Sequence, residues 1–289
     1  MKEFKAPVRI DLAGGWTDIP FLIQGTTGFV VNVAINPLVM LRGDDKEPDM
    51  NGYPRGTGLA TSTAVKMLEM IRANGGVKSF SSAPESLARI SEQLFALENK
   101  ELSWAIGRQD MYAIAHGGLN CFRFNQNSAE VMPICIEPRI LKRLEKRLLL
   151  FYSGVSRNAQ VVVEEVYRQF VSNECAREAL RGIGECALRM IVYLADDNLD
   201  ECGYIMSDNW RWQKILAPSS SNAELDAMYQ FARENGALGG KICGAGGGGA
   251  FVFYAKRKEQ LQEKLQKRFP DGYPIPFSFE YRNIIELNS

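Results

Sequence analysis

The 289-residue chain carries 34 Lys+Arg against 34 Asp+Glu, with 46% hydrophobic and 24% charged residues, the proportions of an ordinary globular protein with room for one large or two smaller domains. Balanced charge withholds the basic excess that generic nucleic-acid affinity needs, and no stretch approaches the run of about 18 apolar residues that a membrane span requires. The single histidine, His116, excludes HExxH zinc proteases and His-rich metal sites, and any Ser-His-Asp mechanism would have to use it.

In chain order, residues 4–12 alternate and carry β-branched side chains, so a strand is expected there, ending at Gly14-Gly15. Residues 28–35 read as a second strand, and residues 43–57, holding Gly43, Pro48, Gly52, Pro54 and Gly56, as turn. A helix is expected over 61–73, stopped by Asn74-Gly75-Gly76. Ser82 and Pro84 open another, with Leu87, Ile90, Leu94 and Leu97 at helical spacing. Strands are expected over 117–124, 131–136 and 147–152. Helical stretches follow near 158–172, 176–195 and 199–216, broken by Gly203 and closed by Pro218. Ser221-Asn222 caps a helix reaching about Asn235. After a glycine cluster come a strand over 250–254, a charged helix and a last strand near 277–287. This mixed order argues for an α+β fold, with a boundary near residue 146 separating domains 1–145 and 146–289. Met1 to Lys5 lead straight into the alternating pattern and form no signal-peptide core. The six cysteines (121, 135, 175, 186, 202, 243) show no metal spacing and suit reduced, buried thiols, so a cytoplasmic protein is expected.

Two loops carry the chemical signal. Seven of the 26 glycines fall within residues 239–249. Gly244, Gly246 and Gly249 satisfy G-x-G-x-x-G, but a helix is expected before the cluster and a strand after it, the reverse of a dinucleotide-binding turn. No G-x-x-x-x-G-K-[ST] occurs anywhere. Five glycines in residues 244–249 carry more backbone entropy than a simple turn warrants, which points to close approach of a ligand, an anion by preference. The second loop, residues 54–63, leads through Gly56 and Gly58 into a helix. The free N–H groups and positive dipole end of that helix suit a phosphate, with Thr61, Ser62 and Thr63 adding hydroxyls.

Three segments in order, Ala6-Pro7-Val8-Arg9-Ile10-Asp11-Leu12-Ala13-Gly14-Gly15-Trp16-Thr17-Asp18, the loop at 54–64, and Lys241-Ile242-Cys243-Gly244-Ala245-Gly246-Gly247-Gly248-Gly249, resemble the three motifs of the GHMP kinases, the galactokinase–homoserine kinase–mevalonate kinase family. The first segment looks most like L-fucose kinases. Residues 107–112, 117–120 and 152–157 look most like D-glycero-D-manno-heptose 7-phosphate kinases. The resemblance implies a two-domain fold, with an N-terminal half like the second domain of ribosomal protein S5 and a C-terminal ferredoxin-like α/β sandwich. It also implies ATP-dependent phosphorylation of a sugar hydroxyl, the anomeric one in the heptose 7-phosphate or fucose class, with galactose as an alternative substrate.

Residue by residue, the resemblance makes Asp110 the group that accepts or orients the proton of the attacking hydroxyl, with Arg9 beside it countering phosphoryl charge. Ser62 and Glu98 would hold Mg²⁺, with Glu92 a rival to Glu98. Gly56, Gly58, Thr61, Ser62 and Thr63 would cradle the ATP phosphates, and Gly246, Gly247 and Gly248 would close over them. Asp18, with Trp16, Gly15, Arg108, Tyr112, Gly118, Arg157 and Gly244, would form the sugar side, Arg108 and Arg157 being the cations for a phosphorylated substrate. His116 is expected to be structural. The partners implied are ATP and a small sugar or sugar phosphate, with neither nucleic acid nor membrane, and a homodimer left open. Two departures stand out. Only 18 residues separate Ile35 from Pro54, where the family inserts several strands of its N-terminal sheet and adenine pocket. Ala60 replaces a loop glycine, and Thr61 and Thr63 replace smaller residues. Sugar-side residues are intact while the nucleotide side is altered, so a sugar-phosphate-binding or regulatory protein of this fold with little catalysis is the alternative.

Overall fold

The computed structural model describes residues 3–42, 48–51, 53, 56–102, 106–155 and 159–288. In chain order the elements are β1 (Glu3–Ala13), β2 (Gly28–Arg42), α1 (Thr61–Ala73), α2 (Pro84–Leu102), α3 (Gln109–His116), β3 (Leu119–Phe124), β4 (Ala129–Pro133), α4 (Pro138–Arg147), β5 (Leu148–Tyr152), α5 (Ala159–Ser172), α6 (Glu174–Ala195), α7 (Leu199–Leu216), α8 (Ala223–Glu234), β6 (Ala237–Ile242), β7 (Ala250–Ala255), α9 (Lys258–Arg268), β8 (Tyr273–Ile275) and β9 (Ser278–Phe279). The mixed α+β order is as expected.

Two antiparallel sheets carry the fold. In the first, β1, β2, β3 and β4 lie side by side in chain order, and β9 returns from the far end of the chain to pair with β2 at Ile35–Asn36. β1 is buried on both faces over most of its length, with helices and sheet neighbours enclosing it. Pro37, which has no N–H to give the ladder, lies where the β1–β2 register shifts between Ala6 and Val8. The second sheet runs β6-β7-β5-β8, the order of a ferredoxin-like unit, with its first strand between its third and fourth. One apolar core, from Phe4 and Ile10 through Met67, Leu148 and Met206 to Ile285, continues through both halves.

Several expectations change. Gly203 does not break α7. A Cβ at Gly203 would lie 2.9 Å from the Tyr254 ring, and one at Gly239 would lie 1.7 Å from the Gly203 carbonyl, so these glycines let helix and strand touch backbone to backbone. Residues 237–242 form β6, a strand, where only glycine-rich loop was expected. The third motif is therefore a hairpin loop between β6 and β7, and the dinucleotide reading still fails because no helix follows. α4 was absent from the sequence reading, although Pro138 at its start and Ile140 and Leu144 at i, i+4 are helical signals. In place of a strand near 277–287 the chain forms the two-residue β9 and a final 3-10 turn, with the short β8 just before. The described cysteines are all unbridged, and Cys121, Cys186, Cys202 and Cys243 are buried, whereas Cys135 and Cys175 are exposed. No helix among the described residues is long and apolar enough to cross a membrane.

Candidate active site

β1 and the start of α3 meet beside the 56–63 loop. Arg9, in β1, is buried, and its backbone N–H donates to the Leu59 carbonyl at 3.1 Å. Its guanidinium donates from Nη1 to the Gly58 carbonyl at 2.5 Å, and from Nε and Nη2 to Asp110 Oδ1 at 2.9 and 2.6 Å. One side chain therefore ties the first segment, the 56–63 loop and the start of α3 together. Burial works against the Arg9 charge, but Asp110 and Asp11 outweigh it and hold the guanidinium above its ordinary range. Both Arg9 donors take the same Asp110 oxygen, which leaves Oδ2 for another partner, and the Asp110 side chain is 27% exposed.

Around this junction lies a cavity of about 340 Å³. Arg9, Asp110, Asp18, Gly15, Trp16 and Gly244 line it, as do Gly56, Gly58, Thr61, Ser62, Thr63 and Glu98. Most of the expected site thus converges. Asp18 is 2% exposed and accepts the Gln109 backbone N–H at Oδ2 (3.0 Å) and the Gln109 Nε2 at Oδ1 (3.2 Å). Its pKa is pushed up to about 6, first by burial, with the carboxylates of Asp110 and Asp11 adding to the rise and the Gln109 N–H opposing it. Gly107 is obligatory here, because a Cβ would stand 1.8 Å from Asp18 Oδ2.

The 56–60 loop turns on left-handed residues. Gly56, Gly58 and Ala60 have φ of 77°, 80° and 63°. Ala60 occupies the N-cap of α1 without a side-chain cap, and the first turn holds no acidic residue, so the helix opens on the cavity with an uncompensated positive end. One capping hydroxyl with surplus neighbours is therefore not what these three residues provide. Ser62 and Glu98 line the same cavity, an oxygen pair suited to Mg²⁺ with water and phosphate completing the shell. Lys66 stands 3.8 Å from Glu98. Glu92 is committed elsewhere, accepting from Arg108 and from the Tyr112 hydroxyl, which favours Glu98 of the two. Among the described residues no cluster of three or more His, Cys, Asp or Glu forms a self-contained metal centre.

Several expected residues do not reach the cavity. Arg108 turns away, donating to Glu92 and to the Asn125 and Gln126 carbonyls while stacking over Phe95. Tyr112 packs among Phe122, Phe124 and His116. Gly118 serves the sheet, its N–H donating to the Glu280 carbonyl and its own carbonyl accepting from Ala34. Gly246, Gly247 and Gly248 do not line the cavity either. The Gly247 N–H donates to the Ser220 carbonyl, and a Cβ at Gly246 would sit 2.5 Å from that same oxygen. Loop packing uses these glycines, because the chain passes so close to residues 219–220. Pro54, Arg55 and Arg157 lie outside the described residues. His116 is half-buried, with Nε2 enclosed and unpartnered and its pKa pushed down to about 4 by burial, and it does not line the cavity.

Four residues were missed. Asp11 and Lys241 form a buried ion pair at 2.7 Å beside the cavity. On α7, Asn209 Oδ1 accepts the Gly14 N–H at 2.9 Å, and one turn later Gln213 Nε2 donates to the Gly244 and Ala245 carbonyls. One helix therefore holds the first and third motifs in register. The available signal was slight: two amides four residues apart on a helix whose other buried positions are mostly apolar.

Residues 190–271 match the family model described as GHMP kinases C terminal. The chain is 28% identical to the D-glycero-alpha-D-manno-heptose 7-phosphate kinase of Campylobacter jejuni, with 95% of each chain covered. It is 26% identical to the bifunctional fucokinase/GDP-fucose pyrophosphorylase of Arabidopsis thaliana, covering 92% of this chain and 31% of that larger protein. The alignment with the Campylobacter protein spans 333 positions, more than this chain contains, so the relative carries segments that are absent here. Among solved structures, a D-glycero-D-manno-heptose 1-phosphate kinase from Bacteroides thetaiotaomicron superposes with a TM-score of 0.71 at 22% identity, over 97% of both chains. The chain has the GHMP kinase fold, and the resemblance drawn from its three motifs stands.

Proposed function

We propose that this chain with the GHMP kinase fold is an ATP-dependent sugar kinase that transfers a phosphoryl group to the anomeric hydroxyl of a fucose-class or heptose-class substrate. The observation that carries the reading is the Arg9 junction. A single guanidinium bonds the carboxylate that would meet the attacking hydroxyl and the loop that would hold the phosphates, so nucleophile and donor sides are fixed together. Phosphoryl transfer asks mainly for this kind of positioning and charge placement.

In this reading the sugar lies against Trp16 and Ile19, with Asp18 accepting from one of its hydroxyls. Asp110 Oδ2 accepts the proton of the attacking hydroxyl, while Arg9 keeps Oδ1 occupied and counters charge on the transferring group. The backbone of residues 56–60 and the open end of α1 receive the ATP phosphates, and Thr61, Ser62 and Thr63 add hydroxyl donors. Ser62 and Glu98 would hold Mg²⁺, which supplies charge neutralisation of the phosphates when bound. The similarity to the Campylobacter heptose 7-phosphate kinase supports the heptose class. The apolar flank of Trp16, Ile19, Ile106, Ala159, Val163 and Ala245 supports a sugar with an apolar edge, as in the fucose class.

A second reading, a binding or regulatory protein of the same fold, is favoured by Ala60 in the loop and by the third-motif glycines held in packing. Coupled nucleotide-release assays against L-fucose, D-galactose and D-glycero-D-manno-heptose 7-phosphate separate the two readings. Turnover with one of them, abolished by Asp110→Asn with sugar binding retained, is expected. No ATP–Mg²⁺ binding at millimolar nucleotide in isothermal titration would eliminate the kinase.

A further inference from the structure

The Asp11–Lys241 pair lies where a sugar hydroxyl has to be recognised, and it is incomplete. Lys241 is fully buried, and its ammonium donates to Asp11 Oδ2 at 2.7 Å and to the Asp11 carbonyl at 3.1 Å. Asp11 is 2% exposed and lines the cavity, yet its Oδ1 has no hydrogen-bond donor. Across the β1–β2 ladder, Asp11 pairs with Asn32, whose Nδ2 donates to Gln109 Oε1 at 3.3 Å, so the neighbouring strand does not supply a donor. The Gly15 backbone packs against the Lys241-bound oxygen, since a Cβ there would stand 2.3 Å from Asp11 Oδ2, so the carboxylate meets the Gly15 side of the cavity wall with no side chain between. Buried carboxylate oxygens are rarely left unpaired, and a ligand that supplies the donor resolves the imbalance.

We propose that Asp11, held in place by Lys241, is a second sugar-anchoring carboxylate, accepting at Oδ1 a hydrogen bond from a substrate hydroxyl other than the one bound by Asp18. The proposal rests on the reading of the cavity as a sugar site. Two carboxylates on the sugar side suit a ligand rich in hydroxyl donors, and Lys241 pairs with Asp11 from outside the cavity lining, without placing a cation in the cavity. A buried ion pair adds little to stability by itself, because the desolvation of its two charges offsets their attraction. Its use here is to fix one oxygen and leave the other to the ligand.

The test is equilibrium binding by isothermal titration, with no turnover required. L-Fucose, D-galactose and D-glycero-D-manno-heptose 7-phosphate are titrated into the wild-type protein, and the tightest binder is carried forward with its monodeoxy derivatives. Asp11→Leu/Lys241→Met removes the acceptor without stranding a charge. The double variant is expected to bind the sugar about 10- to 100-fold more weakly, the usual range for a hydrogen bond to a charged group, with ADP affinity within about twofold of wild type. One monodeoxy derivative should show the same loss with the wild-type protein and no further loss with the double variant. If the double variant does not fold, Asp11→Asn should weaken binding by about 3- to 10-fold through that same hydroxyl. Unchanged sugar binding, or equal losses for every derivative in both proteins, overturns the proposal and leaves the sugar reading intact. Wild-type binding to none of the three sugars removes both.

Discussion

Asp18 gives the most direct quantitative check on the sugar side. It is 2% exposed, and its pKa stands at about 6 against an ordinary 3.8, so the folded protein holds this proton more tightly than the unfolded chain does. As pH rises from 3.8 towards 6 the unfolded chain releases the proton first, and stability falls. Well above 6 both states are ionised and the deficit is constant. The rise of about two pKa units corresponds to about 3 kcal/mol, of which roughly 1.5 kcal/mol develops between pH 4.5 and 6 and about 2 kcal/mol by pH 7.5. Asp18→Asn does not titrate, and its amide oxygen can still accept the Gln109 N–H. The stability difference between variant and wild type, from urea melts, should therefore shift in favour of Asn by about 2 kcal/mol between pH 4.5 and 7.5. The variant should lose sugar affinity at least about tenfold, having traded a charged acceptor for a neutral one. Wild-type kcat/KM for the sugar should climb to a plateau through pH 6, and the variant's should not. A stability difference that stays flat across this window would refute the assignment of burial and carboxylate repulsion to Asp18.

Three further substitutions test how the loops are seated. Gly58→Ala places a Cβ 2.1 Å from the Cys243 carbonyl at φ 80°, so a loss of about 2–4 kcal/mol in denaturation and a raised KM for ATP are expected. Wild-type stability would mean the two loops do not touch. Ala60→Gly relieves a left-handed alanine at φ 63°, worth about 1–2 kcal/mol, less the roughly 0.4–1 kcal/mol that glycine's unfolded freedom takes back. A small rise in Tm with ATP binding retained is expected, and a fall in Tm would contradict the loop geometry. Gly203→Ala adds helix propensity of about 1 kcal/mol but drives a methyl into the Tyr254 ring at 2.9 Å, so a net loss of roughly 1–2 kcal/mol should appear as a lower Tm. A stabilised variant would place α7 away from Tyr254 of β7.

The elements best read from sequence are those with a local stop signal. α1 runs over 61–73 as expected, because its opening hydroxyls and its Asn74-Gly75-Gly76 end act within one turn of the helix. α3 was invisible because its eight residues are almost all buried, so they show no amphipathic period. β6 was hidden by Gly239 and Gly240, which read as loop. Gly239 has no room for a side chain because the Gly203 carbonyl of α7 lies against it, and Gly240 none because Val252 and Phe253 of β7 do. The β9 segment is only two residues long and forms by returning to a strand some 240 residues earlier, a contact that no local pattern announces.

The same distinction separates the site residues that converged from those that did not. Arg9, Asp18 and Asp110 are the side chains that the proposed transfer requires to meet, and the fold brings them to one cavity. Arg108 and Tyr112 sit beside Asp110 in sequence, but on α3 and its cap neighbours point to different sides of the helix, so Glu92 collects both on the opposite face. The glycines divide in the same way. A positive φ at Gly244 through Gly249 is visible in sequence as a need for glycine, but the cause can be a ligand or another stretch of chain. At Gly246 the obstacle is the Ser220 carbonyl and at Gly249 it is the Thr57 carbonyl, both backbone. The Ala250 N–H donates to that same Thr57 carbonyl at 2.9 Å. The third motif therefore braces the 56–60 loop, through which it would act on the nucleotide side of the proposed kinase, and a bulky residue at Gly249 should disturb Gly58 and the start of α1 before it meets any ligand.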